Sequence, residues 1–188
     1  RRGAGNGPLI VVAAHLDTVF PAGTDVKVRR EGTRLFAPGV GDDTRSLAVL
    51  LAFIRAMDAA GIRTHSDILF VGDVFGSAGR HIVREHLPHV LETNAVDLLV
   101  INGENAAGGF GITPSIAEEL FDLGAHVITT GNHIWDKREI FEYMTVPQDS
   151  HSRNRRIIRP ANYAVGTPGF GVYEGELGNG QTYAVLNL

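Results

Sequence analysis

The sequence predicts an α/β fold with a mostly parallel sheet and helices on both faces. Short, β-branched apolar runs alternate with helix-length amphipathic stretches, the pattern of parallel strands joined by right-handed crossovers. Three consecutive runs, ending near Gly72, Ile101 and Thr130, each pass into a glycine-containing loop that carries Asp, Glu-Asn or Asn-His. Parallel strands place such loops along one edge of the sheet, outside the strand carboxyl ends, where ligands bind in open α/β folds.

Composition narrows the function. The chain has 188 residues, 44% hydrophobic and 20% charged, the balance of a globular protein with room for one ordinary domain or two small ones. A net charge of −4 gives no electrostatic signal for DNA binding. With no cysteine, disulfides, thiolate metal sites and cysteine nucleophiles are excluded, so any metal must be held by His, Asp, Glu or Asn. No apolar run approaches the length of a membrane span and no signal peptide opens the chain, so a cytoplasmic location is expected. The loop-like opening from Arg1 to Gly7, without Met, is expected of a start inside a longer protein.

The elements follow in order. Pro8–Ala14 is short and β-branched, and is predicted as a buried strand that delivers His15-Leu16-Asp17 at its end. Val26–Arg30 and Arg34–Ala37, joined around Glu31-Gly32-Thr33, predict a hairpin. A loop through Asp42-Asp43 leads into a helix with Leu47, Leu50, Leu51, Ile54 and Met57 at helical spacing and Gly61 as its stop. Asp67–Gly72 is the next strand, running into the glycine-rich loop Asp73–Gly79. Arg80–Leu91 is predicted helical with Val83, Leu87 and Val90 on one face, kinked or ended by Pro88. After the strand Val96–Ile101, Thr113 serves as N-cap, Pro114 opens a helix and Gly124 closes it. The strand Ala125–Thr129 precedes Gly131–Asp136, and Asp136 with Glu139 has capping-box spacing for a helix through Met144. Arg153, Arg155, Arg156 and Arg159 read as an exposed loop face, Gly166–Gly180 as turns, and Thr182–Leu188 as a last strand.

At the shared edge, Asp73, Glu104, Asn105, Asn132 and His133 would meet. These are hard oxygen donors with one imidazole, a set suited to Mn, Fe, Mg or Zn. Carboxylates can bridge two metals, and a two-metal site is a standard device for attack on phosphorus. A histidine beside it can protonate a leaving oxygen. The stretches Ile68–Asp73, Asn102–Thr113 and Thr130–Asp136, with Arg159–Tyr163, resemble the YmdB family of calcineurin-like metallophosphoesterases over about residues 68–188. The resemblance implies a phosphodiesterase with two divalent metal ions, acting on small phosphodiesters such as 2′,3′-cyclic nucleotides. It implies that Asp73 and Asn105 ligate one metal and Asn132 the other, that Glu104 bridges them, and that His133 is the acid near the leaving group. The family's further histidine ligands, a His-x-His pair among them, have no counterpart here, so a site incomplete at its C-terminal side is expected.

The first half carries a different pattern. His15 and Asp17 at a strand end, with Asp42-Asp43 opening a helix, form a metal-site constellation of their own. Over about residues 8–72 these residues resemble the peptidase T-like and ArgE/DapE-like di-zinc peptidases and deacylases. The resemblance implies His15 as a ligand, Asp42 as the bridging carboxylate and Asp17 as the residue that orients His15. Where that family continues to a Glu-Glu pair, this chain has Asp73-Val74-Phe75-Gly76. The sequence thus divides into a peptidase-like segment, 1–67, and a phosphoesterase-like segment, 68–188, and a chimera joined near residues 68–72 is the expectation. Three functions stay open at this point: a metallophosphoesterase, a zinc peptidase or deacylase, and a catalytically inactive chimeric fragment. Plainer roles also stay open for single residues. Asp73 and Asp43 can cap helices, Glu104-Asn105 can be turn residues, Asp136 can be a cap, and Phe110 and Trp135 can be packing residues.

Overall fold

The computed structural model describes residues 10–13, 23–38, 44–62, 68–71, 73–145, 152–178, 180 and 182–187. Nine strands and four α-helices appear among them, in a mixed α/β arrangement. In chain order they are β1 (Ile10–Ala13), β2 (Arg29–Glu31), β3 (Arg34–Phe36), α1 (Thr44–Ala59), β4 (Ile68–Val71), α2 (Gly76–Thr93) and β5 (Val100–Asn102). Then follow α3 (Pro114–Asp122), β6 (Val127–Thr129), α4 (Arg138–Thr145), β7 (Ile157–Ile158), β8 (Val172–Glu176) and β9 (Thr182–Leu186). No helix among the described residues is long and apolar enough to cross a membrane.

The strands β5, β6 and β7 form a parallel sheet, with Ile101 beside Ile128 and Ile128 beside Ile157. Successive side chains on a strand point to opposite faces, and the two halves of the core divide accordingly. Leu99, Ile101, Ile128 and Ile157 face one way, into a cluster with Ile112, Leu120, Phe121, Ile134, Ile140 and Met144 from the helical layers. Leu98, Val100, Val127 and Ile158 face the other way, against Leu177, Tyr173, Tyr183 and Val185. The expectation of helices on both faces is therefore refined. Helices α2, α3 and α4 cover one face of this sheet, and the antiparallel hairpin β8–β9 covers the other.

The N-terminal segment joins the rest through its backbone. Strands β1 and β4 pair in parallel, Ile10 beside Ile68 and Ala13 beside Val71, and β1 lies close to β5. The expected hairpin is present as β2 and β3, turning at Gly32 with φ of 59°. Helix α1 ends where expected: Gly61 adopts φ of 66° and the Ile62 N–H bonds the Met57 carbonyl at 2.9 Å. Leu51 and Phe53 on this helix are 55% and 57% exposed. The side chains of Leu47 and Leu50 lie outside the description.

Three elements depart from the sequence reading. Helix α2 begins at Gly76, inside the expected glycine loop, and passes through exposed Pro88 to Thr93. Gly79 belongs to its first turn because a Cβ there would lie 3.0 Å from the Val74 backbone, so only glycine lets the turn close on that chain. Strand β8 falls within residues read as turns. Its Gly175 sits beneath the Tyr183 ring, 2.7 Å from where a Cβ would be, so the ring supplies the cover that the missing side chain does not. The arginine stretch 153–159 is a structural tie. Arg156 donates to the Ala125 and His126 carbonyls, Arg159 to the carbonyls of Pro160, Thr167 and Pro168, and Arg153 to Glu118 and Asp122. These tethers let Ile157 and Ile158 between them pair with β6 as buried β7.

Candidate active site

The loops after β4, β5 and β6 come together. The Val74 N–H bonds the Asn102 carbonyl at 3.2 Å, and the Gly103 N–H bonds the Thr129 carbonyl at 3.0 Å. These two bonds hold the three loop starts level with one another. Gly103 is required at this junction: a Cβ would lie 2.9 Å from the Ile112 side chain and 3.0 Å from that of Ile128. The next residues turn back on themselves, because Asn102 accepts the Glu104 N–H on its side-chain oxygen at 2.8 Å. That turn sends the neighbouring Glu104 and Asn105 side chains to different partners.

Asn105 is buried and reaches the first loop. Its amide donates to Asp73 Oδ2 at 2.5 Å. Its carbonyl accepts the Gly76 N–H at 2.9 Å and the Gly109 N–H at 3.1 Å, fixing the start of α2 and the end of the second loop. Glu104 reaches the third loop. Its carboxylate occupies the space that a Cβ on Gly131 would need, and its Oε1 accepts the His133 N–H at 3.4 Å. Asn132 and His133 begin a 3-10 turn, Asn132–Trp135, and the Asn132 carbonyl accepts the Tyr163 hydroxyl at 3.4 Å.

His133 is held on several sides. Its Nδ1 lies 2.7 Å from Asp136 Oδ2, and its ring meets the edge of Phe110 at 5.0 Å between centroids. The cap expected of Asp136 is not formed: its carboxylate is turned to His133, and α4 starts two residues later at Arg138. Phe110 is 48% exposed at the rim. Trp135 packs between Phe141 and Tyr163, at 5.7 Å and 6.4 Å, in the packing role expected of it.

The five residues singled out from sequence thus form two linked pairs of loops, Asp73 with Asn105 and Glu104 with the Asn132–His133 turn. Among the described residues, no three His, Asp or Glu side chains converge on a point where they could hold a metal. A metal here would need the amide oxygens of Asn105 and Asn132 as well. Two carboxylates, two amides and an imidazole make a hard-oxygen donor set, which fits a divalent cation of the Mg, Mn, Fe or Zn kind. His15, Asp17 and Asp42 lie outside the described residues, as do Asp43 and His151. His81, His86 and His89 are exposed on α2, as expected.

One histidine that the sequence does not single out is structurally engaged. His126 Nδ1 accepts the Leu99 N–H at 3.0 Å, across from its own backbone bond to the Leu99 carbonyl at 2.8 Å. Burial holds its pKa below the ordinary value and the Arg156 charge lowers it further, against an upward pull from Asp97. Nothing in the local sequence separates this histidine from a solvated one. Its role comes from the pairing of β5 with β6.

Comparison with known proteins bears on these loops. A family model described as YmdB-like protein matches residues 69–188. The chain is 45% identical over 122 residues to a 2′,3′-cyclic-nucleotide 2′-phosphodiesterase of Bacillus subtilis (strain 168), covering 64% of this chain and 43% of that protein. A solved structure of a hypothetical protein from Thermus thermophilus superposes with a TM-score of 0.52 at 33% identity, over 61% of this chain and 41% of that one. A novel phosphatase from Mycoplasma pneumoniae superposes with a TM-score of 0.53 at 29% identity, over 62% of this chain and 40% of that one. The chain spans less than half the length of each of these proteins.

Proposed function

Because the chain belongs to the YmdB-like protein family, we propose that it carries the part of a metal-dependent phosphodiesterase built from the loops after β4, β5 and β6. The proposed substrates are small phosphodiesters of the 2′,3′-cyclic nucleotide class, the class printed in the name of the Bacillus subtilis relative. The observation that carries the reading is the convergence of Asp73 with Asn105 and of Glu104 with the Asn132–His133 turn. Asp73 and Asn105 would hold one divalent metal ion, Asn132 a second, and Glu104 would bridge them. Bound there, the metals would polarise the phosphoryl oxygens and lower the pKa of a coordinated water.

The chain's own residues divide the remaining work. The glycines flanking these loops let the substrate approach the backbone closely. His133 Nδ1 is taken by Asp136, so Nε2 is the ring nitrogen presented to substrate. As water attacks phosphorus and the bond to one ribose oxygen breaks, that oxygen takes a proton from His133 Nε2. A positioned acid of this kind contributes on the order of 10²–10⁴-fold in rate. The reading places residues 1–67 outside this machinery, as a separate N-terminal segment.

The test is calorimetric titration of the full chain with Mn²⁺, followed by assay on a 2′,3′-cyclic nucleotide. Tight binding with turnover that falls by about 100-fold in His133→Ala is the expected outcome. Turnover unaffected by His133→Ala would sink the reading. Weak binding at a single site, without turnover, would confine the activity to the longer relatives.

A further inference from the structure

We propose that Asp136 is a positioning residue, which holds the His133 imidazole by Nδ1 and so makes Nε2 the nitrogen that delivers the proton. The inference deepens the phosphodiesterase reading and rests on it. Its basis is the short turn between the two residues. A 3-10 helix has three residues per turn, so side chains at i and i+3 eclipse one another. His133 and Asp136 stand at that spacing, and Asn132–Trp135 is such a turn. Their side chains meet at 2.7 Å, and the Asp136 N–H bonds the His133 carbonyl at 3.0 Å. The same two residues are thus tied through both side chain and backbone.

The surroundings restrict the ring further. Gly111, at φ of 75°, brings the preceding loop against this turn. A Cβ on Gly111 would lie 3.0 Å from the His133 carbonyl and 3.4 Å from Asp136 Cβ. Neighbouring Phe110 presents its ring at 67° to the imidazole, and Glu104 accepts the His133 N–H from the other side. An ionised carboxylate only accepts hydrogen bonds, so it selects the imidazole form with hydrogen on Nδ1. The side chains of His133 and Asp136 are 32% and 42% exposed. An ion pair so open to water contributes little to folding stability, and its effect lies in orientation.

The experiment compares Asp136→Ala, Asp136→Asn and His133→Ala in the full chain loaded with Mn²⁺. Two substrates are used, a 2′,3′-cyclic nucleotide and bis(p-nitrophenyl) phosphate. A ribose oxygen needs a proton to leave, whereas nitrophenolate does not. Asp136→Ala is expected to lower kcat on the cyclic nucleotide by about tenfold or more with KM unchanged. The same variant should leave turnover of the nitrophenyl ester nearly intact. Asp136→Asn keeps an acceptor oxygen and should restore most of the loss. Equal losses on both substrates, or none on either, would overturn the proposal. Imidazole nitrogen NMR shifts of the metal-free chain supply a readout independent of turnover. The neutral His133 ring should carry its hydrogen on Nδ1, and Asp136→Ala should move it to Nε2. An unchanged tautomer would also overturn the proposal. If His133→Ala leaves cyclic-nucleotide turnover intact, or the chain shows none, the phosphodiesterase reading fails for this chain, and the NMR result still decides whether Asp136 sets the ring.

Discussion

At the scale of single residues, His126 and Gly131 make separable demands. His126 accepts a backbone hydrogen bond on Nδ1 and must be neutral to do so. Its pKa in the fold lies below the ordinary 6.5. The unfolded chain therefore takes up the proton first as pH falls. The stability this residue contributes is complete above about pH 6.5 and is lost as pH drops toward the lowered folded value. Urea unfolding at several pH values should show this loss, and His126→Gln should remove that component of the pH dependence. Gly131 has a different role, since the Glu104 carboxylate fills the place of its missing Cβ. Gly131→Ala is expected to push that carboxylate away and weaken Mn²⁺ binding by about tenfold, measured by calorimetry. Gly178→Ala, where a Cβ would meet nothing within 4 Å, should leave binding unchanged.

At the scale of elements, legibility follows locality. Helix α3 can be read from its ends because its signals are carried by adjacent residues. The Thr113 hydroxyl accepts the Ile116 N–H at 3.4 Å, Pro114 opens the helix, and Gly124 turns out of it at φ of 105°. The site loops are legible because each follows an apolar run that can be recognised by itself. Strand β7 cannot be read that way. It is two isoleucines long, and it becomes a strand through arginine tethers from elsewhere and through pairing with β6. Asp136 reads wrongly as a cap because its spacing to Glu139 suits a capping box, whereas the 3-10 turn before it directs the carboxylate backward. The last strand fastens the site from below. Asn187, next to β9, donates to the Thr130 carbonyl at 2.6 Å and to the Ile158 carbonyl at 3.0 Å. Asn187→Ala leaves both carbonyls without that amide and should destabilise the fold by about 1–3 kcal/mol, read from denaturant unfolding.

At the scale of the whole molecule, β1 is the link between the two segments. Strand β4 begins the phosphoesterase-like half, yet its hydrogen-bonded partner comes from the other half. Removing residues 1–67 should lower the thermal midpoint and speed amide exchange across Ile68–Val71, because β4 would lose its ladder. The same N-terminal segment carries exposed Leu51 and Phe53 on α1. Replacing both with Lys should reduce self-association in light scattering and leave the unfolding midpoint unchanged.

The adjacency of Glu104 and Asn105 has a consequence for how such a site can change over generations. One side chain commits to the first loop and its neighbour to the third, so a single peptide unit is shared by both halves of the cluster. Shifting that unit to suit Asp73 also shifts the support under His133. Double-mutant cycles between position 73 and position 131 should therefore be non-additive, although no contact joins the two residues directly. A lineage carrying this loop must retune both halves in concert, and tolerated substitutions on one side depend on which substitution the other side already holds.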